Sequence, residues 1–223
     1  MSIQKIAATV LAAGSLAAVP FFASATSGNG DGGVVTYQVT IENVATGIQP
    51  LSPGGVVVHN ADVEVWSAGS PASAAVAAVA EDANLPIYVG AYSATPGVKN
   101  AFVGGGAPFG PTEHVTFEFD AKRNDRISIV SMLVNTNDAF TGLDSVRLGN
   151  ETQVFDVGAY DAGTEANTEL MSDIPGQGSP FVRVPEGAVI TPHDGIVGQT
   201  DGIDPGIYNW DGPVAQITIT PLG

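Results

Sequence analysis

Apolar and polar residues alternate along several short stretches of the chain, which is the pattern of strands with one buried side. In the first such stretch Tyr37, Val39 and Ile41 alternate with threonine, glutamine and glutamate. More continuous apolar runs predict strands that are buried on both sides. The predicted strands are 37–42, 56–58, 63–66, 115–119, 127–134, 146–148, 154–157 and 215–219.

Turn residues between these strands indicate which of them are neighbours. Asn124-Asp125 is expected to turn 115–119 back into 127–134, and Asn150 to lie at the tip of a second small hairpin. The closing strand, 215–219, is expected in the core sheet near the first strand.

The other segments predict one helix and long loops. Pro71–Asp82 is rich in alanine, with Ser70 as a cap and Pro71 at the first helical position. Residues 86–92 are expected to be extended, and 171–213 to be irregular because Gly, Pro and Asp are frequent there. The predicted fold class is therefore all-β, an antiparallel sandwich of about eight strands with one short helix.

The first 25 residues have the composition of a secretory signal peptide. Lys5 precedes an apolar run, and Ala23-Ser24-Ala25 fits a cleavage site. A membrane anchor is the alternative, although glycine, serine and proline interrupt the run, and no later segment could span a membrane. Residues 26–33 are predicted to be a flexible leader and 34–223 the folded domain. The expected location is secreted, extracellular or periplasmic.

Charge and cysteine content narrow the function classes. The chain has 23 acidic and 7 basic residues, a formal net charge of −16, and no cysteine. Such a polyanion repels nucleic acid and anionic lipid, and it favours cations or basic partners. The lack of cysteine excludes thiol catalysis and thiolate zinc sites.

Two polar loops combine carboxylates with glycine directly after apolar segments, at 136–144 and 160–167. Calcium takes about 6–8 oxygen ligands in such loops. Asp161 and Glu165 are four residues apart, so both side chains can point the same way. The hypothesis is that Asp138, Asp161 and Glu165 converge on one Ca²⁺. The alternative is that these acids are turn formers on a solvated surface.

A second cation site is conceivable within residues 171–213. His193, Asp194, Asp201 and Asp204 lie in this segment. The segment lacks the spacing of an EF-hand, so a surface loop is the competing interpretation.

The order of several motifs resembles that of the spondin N-terminal domain family over about residues 35–220. The segments that carry the resemblance are Tyr37–Asn43, Leu51–Pro53, Ala80–Asp82, Gly110–Phe117, Ser131–Asp138, Asp161–Glu165 and Pro213–Ile219. The resemblance implies a C2-like antiparallel β-sandwich that holds Ca²⁺ in loops at one end.

The family's acidic ligand positions fall on Asp138, Asp161 and Glu165. Ala139 stands where relatives commonly have tryptophan, which predicts looser packing behind the loop. Glu165 stands where aspartate is common, and its longer arm is expected to keep the site intact. Animal relatives carry cysteines, so their absence here suggests a free-standing prokaryotic version of the domain.

The predicted function is a secreted calcium-binding domain of adhesion or extracellular-matrix type, which binds a surface or partner through loops organised by Ca²⁺. The target, an extracellular protein, a glycan or a mineral surface, is left open, as is the oligomeric state. One alternative is a coat or biofilm subunit in which Ca²⁺ only stabilises the fold. Another is an extracellular hydrolase, but Gly-x-Ser-x-Gly and His-Glu-x-x-His are absent, so no catalytic residues are predicted.

Overall fold

The computed structural model describes residues 33–175, 177, 182–198 and 202–223. The predicted signal peptide and, except for Gly33, the predicted leader lie outside these residues. The strands are β1 (Val34–Asn43), β2 (Gly54–His59), β3 (Val98–Gly104), β4 (His114–Lys122), β5 (Arg126–Met132), β6 (Ala139–Arg147), β7 (Gln153–Val157), β8 (Tyr160–Asp161), β9 (Thr191–Pro192) and β10 (Ala215–Pro221). The helices are α1 (Ala74–Asp82), α2 (Leu85–Ser93) and α3 (Pro205–Tyr208), with one 3₁₀ turn at Met171–Asp173.

The strands form two antiparallel sheets, which confirms the predicted sandwich. The smaller sheet has the order β4-β1-β10-β7 and the larger one β3-β2-β5-β6-β8-β9. The closing strand pairs with the first strand, with Val39 opposite Ile219. In both strands the alternation puts valine and isoleucine inside and threonine outside, as the sequence predicted.

One core lies between the sheets and a second lies under the helices. Ile41 and Ile217 of the smaller sheet share a buried cluster with Ile129 of the larger one. Val130, next to Ile129, points the other way and is buried in a second cluster, which includes residues of α1 and α2. Because both of its faces are covered, β5 is buried along its length without alternation, and even Ser128 and Ser131 are buried.

Both predicted hairpins are wrong. β4 pairs with β1 in the smaller sheet, whereas β5 pairs with β2 and β6 in the larger one. β7 likewise pairs with β10 and not with β6. A turn signal shows that the chain reverses, but it does not show whether the next strand joins the same sheet. In a sandwich both choices bury the same apolar side chains.

The helical content was also predicted incompletely. α1 begins at Ala74, and its cap is Ser73, whose Oγ accepts a hydrogen bond of 3.2 Å from the Val76 amide. The segment predicted to be extended is α2, which has Pro86 in its first turn and buries Leu85, Tyr88 and Tyr92. Residues 63–66 form no strand, and β3 was not predicted.

Candidate metal centre

Strand pairing brings Asp138 next to Asp161. Asp138 directly precedes β6, and the first residue of β6, Ala139, lies opposite Asp161 of β8. The backbone carbonyl of Asp138 also accepts a hydrogen bond of 3.3 Å from the Ala162 amide. Two residues that are distant in sequence therefore meet at the same end of the larger sheet.

The carboxylate of Asp138 is fully buried and its two oxygens differ. Oδ2 accepts hydrogen bonds from the Thr164 amide at 2.8 Å, the Thr164 hydroxyl at 3.0 Å and the Glu165 amide at 2.9 Å. Oδ1 is buried without a hydrogen-bond partner. An unpaired buried charge is costly, so this oxygen is a ready acceptor for a cation.

Burial is the main reason why the pKa of Asp138 rises from 3.8 to about 6. The nearby negative charge of Asp161 also raises this pKa, while the hydrogen bonds from Glu165 and Thr164 lower it. Above about pH 6 the site therefore holds a charge that the protein itself stabilises incompletely.

Glu165 joins the site through its backbone, but its carboxylate is turned to another partner. Its amide binds Asp138, whereas Oε1 forms an ion pair with Arg183. Its Oε2 is buried without a hydrogen-bond partner. Burial raises the pKa of Glu165, and the hydrogen bond and charge of Arg183 oppose that rise.

Asp161 and the turn after it form a tight loop. The Asp161 carboxylate accepts hydrogen bonds from the Gly163 amide at 2.6 Å and from the side-chain amide of Asn167. Gly163 has a φ of +69°, and a Cβ there would lie 2.7 Å from the carbonyl carbon of Ala188. Glycine is therefore required both for the backbone conformation and for the close approach of the 182–191 segment.

The residues behind the loop are buried, and the looser packing predicted from Ala139 stays a prediction. Ala139 and Phe140 are both fully buried. The ring of Phe140 lies edge-on to Trp66, with a centroid distance of 5.1 Å, and stacks on Tyr160 at 5.7 Å. Trp66 also donates a hydrogen bond to the Leu143 carbonyl.

The predicted ligands are thus neighbours, but they do not form a finished cage. In the described ranges, no group of three or more His, Cys, Asp or Glu side chains is arranged to hold a metal ion. The donor set nevertheless fits a hard cation, because Asp138 and Glu165 each keep one buried oxygen without a partner. Coordination by both oxygens of Glu165 would require its Oε1 to exchange Arg183 for the ion.

The chain matches a known protein family. The Spondin_N family model matches residues 52–180, which is more than half of the chain. The chain belongs to the spondin N-terminal domain family. This family is typical of secreted, extracellular-matrix-type proteins and is not a known enzyme family. A comparison with curated proteins found no match.

The matched part of this spondin N-terminal domain contains Asp138, Asp161 and Glu165, and it ends before Arg183. Arg183 was not predicted as a site residue, because it lies in an irregular segment that no sequence signal connects to the carboxylates.

No helix within the described part of the chain is long and apolar enough to cross a membrane.

The second cation site is not supported in the form predicted. Asp204 caps α3 by accepting a hydrogen bond from the Gly206 amide at 2.8 Å, and Asp201 lies outside the described residues. His193 and Asp194 do line a cavity of about 250 Å³ beside Asp161. Burial lowers the pKa of His193, and its Nδ1 accepts a hydrogen bond from the Gly195 amide, which favours the neutral ring.

Proposed function

We propose that this domain is a secreted adhesion domain of extracellular-matrix type, in which one Ca²⁺ bound by Asp138, Asp161 and Glu165 organises the loops at one end of the sandwich. The observation that carries the proposal is the Asp138 carboxylate, which is fully buried and has one oxygen without a partner. A divalent cation would offset the desolvation of this group, which no described basic side chain contacts.

The hydrogen bonds to the Asp138 carboxylate support its role as a ligand. Its Oδ2 is held by Thr164 and by the Glu165 amide, so the carboxylate is fixed while Oδ1 is left to bind. Calcium, when bound, supplies a strong positive charge and a coordination shell of about 6–8 oxygens. Backbone carbonyls and water would complete the shell beyond the three carboxylates.

The segment that leads into Asp138 is hydrogen-bonded to the loop at 48–50, which would connect a calcium ion bound at Asp138 to a surface. The Val134 amide donates a hydrogen bond of 2.9 Å to the Pro50 carbonyl, and the Asn135 side chain donates one of 3.3 Å to the Ile48 carbonyl. Ile48 is half exposed. A partner that binds these loops would therefore meet a surface whose shape depends on calcium.

Thermal unfolding with EGTA and then with CaCl₂ tests the proposal. The wild type should gain stability as calcium rises, because a ligand that binds only the folded state stabilises it by mass action. Asp161→Ala should lose this gain. Asp156→Ala is the matched control, because Asp156 lies exposed on β7, and it should respond like the wild type.

Identical melting of the wild type in EGTA and in CaCl₂ would exclude the calcium site. If calcium does stabilise the wild type, light scattering in CaCl₂ separates two possible roles, adhesion and assembly of the protein with itself. A protein that binds an immobilised surface while remaining unassembled would fit adhesion, whereas calcium-dependent assembly of the protein alone would contradict it.

A further inference from the structure

Arg183 gathers three carboxylates that are far apart in sequence. Its guanidinium pairs with Glu165, with Glu81 at 2.6 Å and with Asp82 at 2.5 Å. Glu165 is almost completely buried, whereas the side chains of Glu81 and Asp82 are 21% and 44% exposed. One arginine thus connects the candidate metal centre to the end of α1.

The position of two of these acids is unfavourable without a cation. Glu81 and Asp82 are the last residues of α1, where the helix dipole adds partial negative charge and the last turn contains no basic residue. The Glu165 carboxylate lies close enough to both for their charges to raise its pKa. Arg183 therefore balances several negative groups at once.

Arg183 and a metal ion would require the same carboxylate. Oε1 of Glu165 is taken by Arg183, and the site can use it for coordination only if that ion pair is broken or weakened. The affinity of a calcium site depends on the number of charged ligands available to it. A positive charge beside one ligand also repels a bound cation.

We infer that Arg183 is a built-in counter-cation, which competes with Ca²⁺ for Glu165 and thereby sets the calcium affinity of the site. This inference rests on the calcium site proposed above. Glu81 and Asp82 share Arg183 and so reduce its hold on Glu165. The ion-pair cluster is thus an affinity control that acts through Glu165.

Calorimetric titration of the full chain with CaCl₂ tests this inference. Arg183→Gln should raise the calcium affinity at least about tenfold, because Glu165 is released and a nearby positive charge is lost. The double variant Glu81→Gln/Asp82→Asn should lower the affinity about threefold or more, because two acids that compete with Glu165 for Arg183 are then removed. Arg147→Gln removes the same charge at the far end of β6 and should stay within about twofold of the wild type.

Unfolding temperatures provide a second readout. Without the counter-cation, Arg183→Gln should melt well below the wild type in EGTA, and this gap should narrow in saturating CaCl₂. A purely structural role for Arg183 would give the same loss in both conditions.

The outcomes separate the two proposals. If the wild type binds CaCl₂ but Arg183→Gln and Arg147→Gln bind alike, the role of Arg183 is overturned while the calcium site stands. If the wild type shows neither binding heat nor a calcium-dependent melting shift, both proposals fail. If Arg183→Gln does not fold, the double variant Glu81→Gln/Asp82→Asn decides. A calcium affinity of this variant equal to or higher than that of the wild type would overturn the inference.

Discussion

Replacing Asp138 with asparagine should stabilise the protein when calcium is absent, although Asp138 is a proposed ligand. The carboxylate is fully buried, and burial raises its pKa from 3.8 to about 6. A carboxyl whose pKa is higher in the folded state destabilises the fold once both states are ionised. The difference corresponds to about 3 kcal/mol above pH 6.

The asparagine amide would not recover all of this free energy. Its oxygen can still accept hydrogen bonds from Thr164 and from the Glu165 amide. Its NH₂ group, however, would take the place of Oδ1, which has no partner, and an unpaired buried donor costs about 1–3 kcal/mol. The expected net gain is up to about 2 kcal/mol at pH 7.5, or up to about 8 °C in Tm.

The pH dependence isolates the charge from the packing. Because the folded-state pKa is raised, the penalty is nearly absent at pH 4 and develops as pH rises through 6. In EGTA, the stability advantage of Asp138→Asn should therefore grow by about 2 kcal/mol between pH 4 and pH 7.5. Urea unfolding of both proteins at the two pH values measures this difference directly.

Calcium should reverse the order of stability. In saturating CaCl₂ at pH 7.5 the wild type should gain stability and Asp138→Asn should not. The reasoning is refuted if the variant is less stable than the wild type in EGTA at pH 7.5 and if that difference is the same at pH 4.

Two further variants test the support of the site by urea unfolding in EGTA. Gly163→Ala should lower the free energy of unfolding by about 2–4 kcal/mol, owing to its left-handed φ and the close approach of Ala188. Gly158→Ala, where a Cβ would meet no atom within 4 Å, should change it by less than about 1 kcal/mol, and equal costs would contradict this argument. Phe140→Ala should cost about 3–5 kcal/mol, because the ring is fully buried against Trp66, and a loss below about 1 kcal/mol would contradict that role.

The strands that were predicted most accurately from the sequence are those with one face exposed to water. β1 and β10 alternate because their outer faces meet water, and each carries its own signature of which side is buried. α2 has no such signature, because its exposed residues include Pro86 and Ile87, which are apolar like its buried ones. An apolar segment without a polar side fits a buried strand and a packed helix equally well, so its type was predicted incorrectly.

Sequence also predicted Asp138 and Asp161 as partners more reliably than it predicted strand neighbours. The acidic loop pattern and the family resemblance both predict that the two acids converge, and the pairing of β6 with β8 places Asp138 beside Asp161. The neighbours of β4 and β5 depend on how the chain crosses between the sheets. Arg183 was missed for a related reason, since its partners Glu81 and Glu165 meet only in the folded protein.

The three proposed ligands differ in how many of their carboxylate oxygens already form other contacts in the fold, and this difference affects the expected calcium affinity. Asp138 Oδ1 and Glu165 Oε2 can each accept a cation without losing a hydrogen bond that the structure shows. Asp161 already uses both oxygens to hold Gly163 and Asn167, and Glu165 Oε1 is held by Arg183. Full coordination therefore costs contacts that a preformed cage would not lose, which favours the weak range of about 10⁻⁴–10⁻³ M found in extracellular calcium modules.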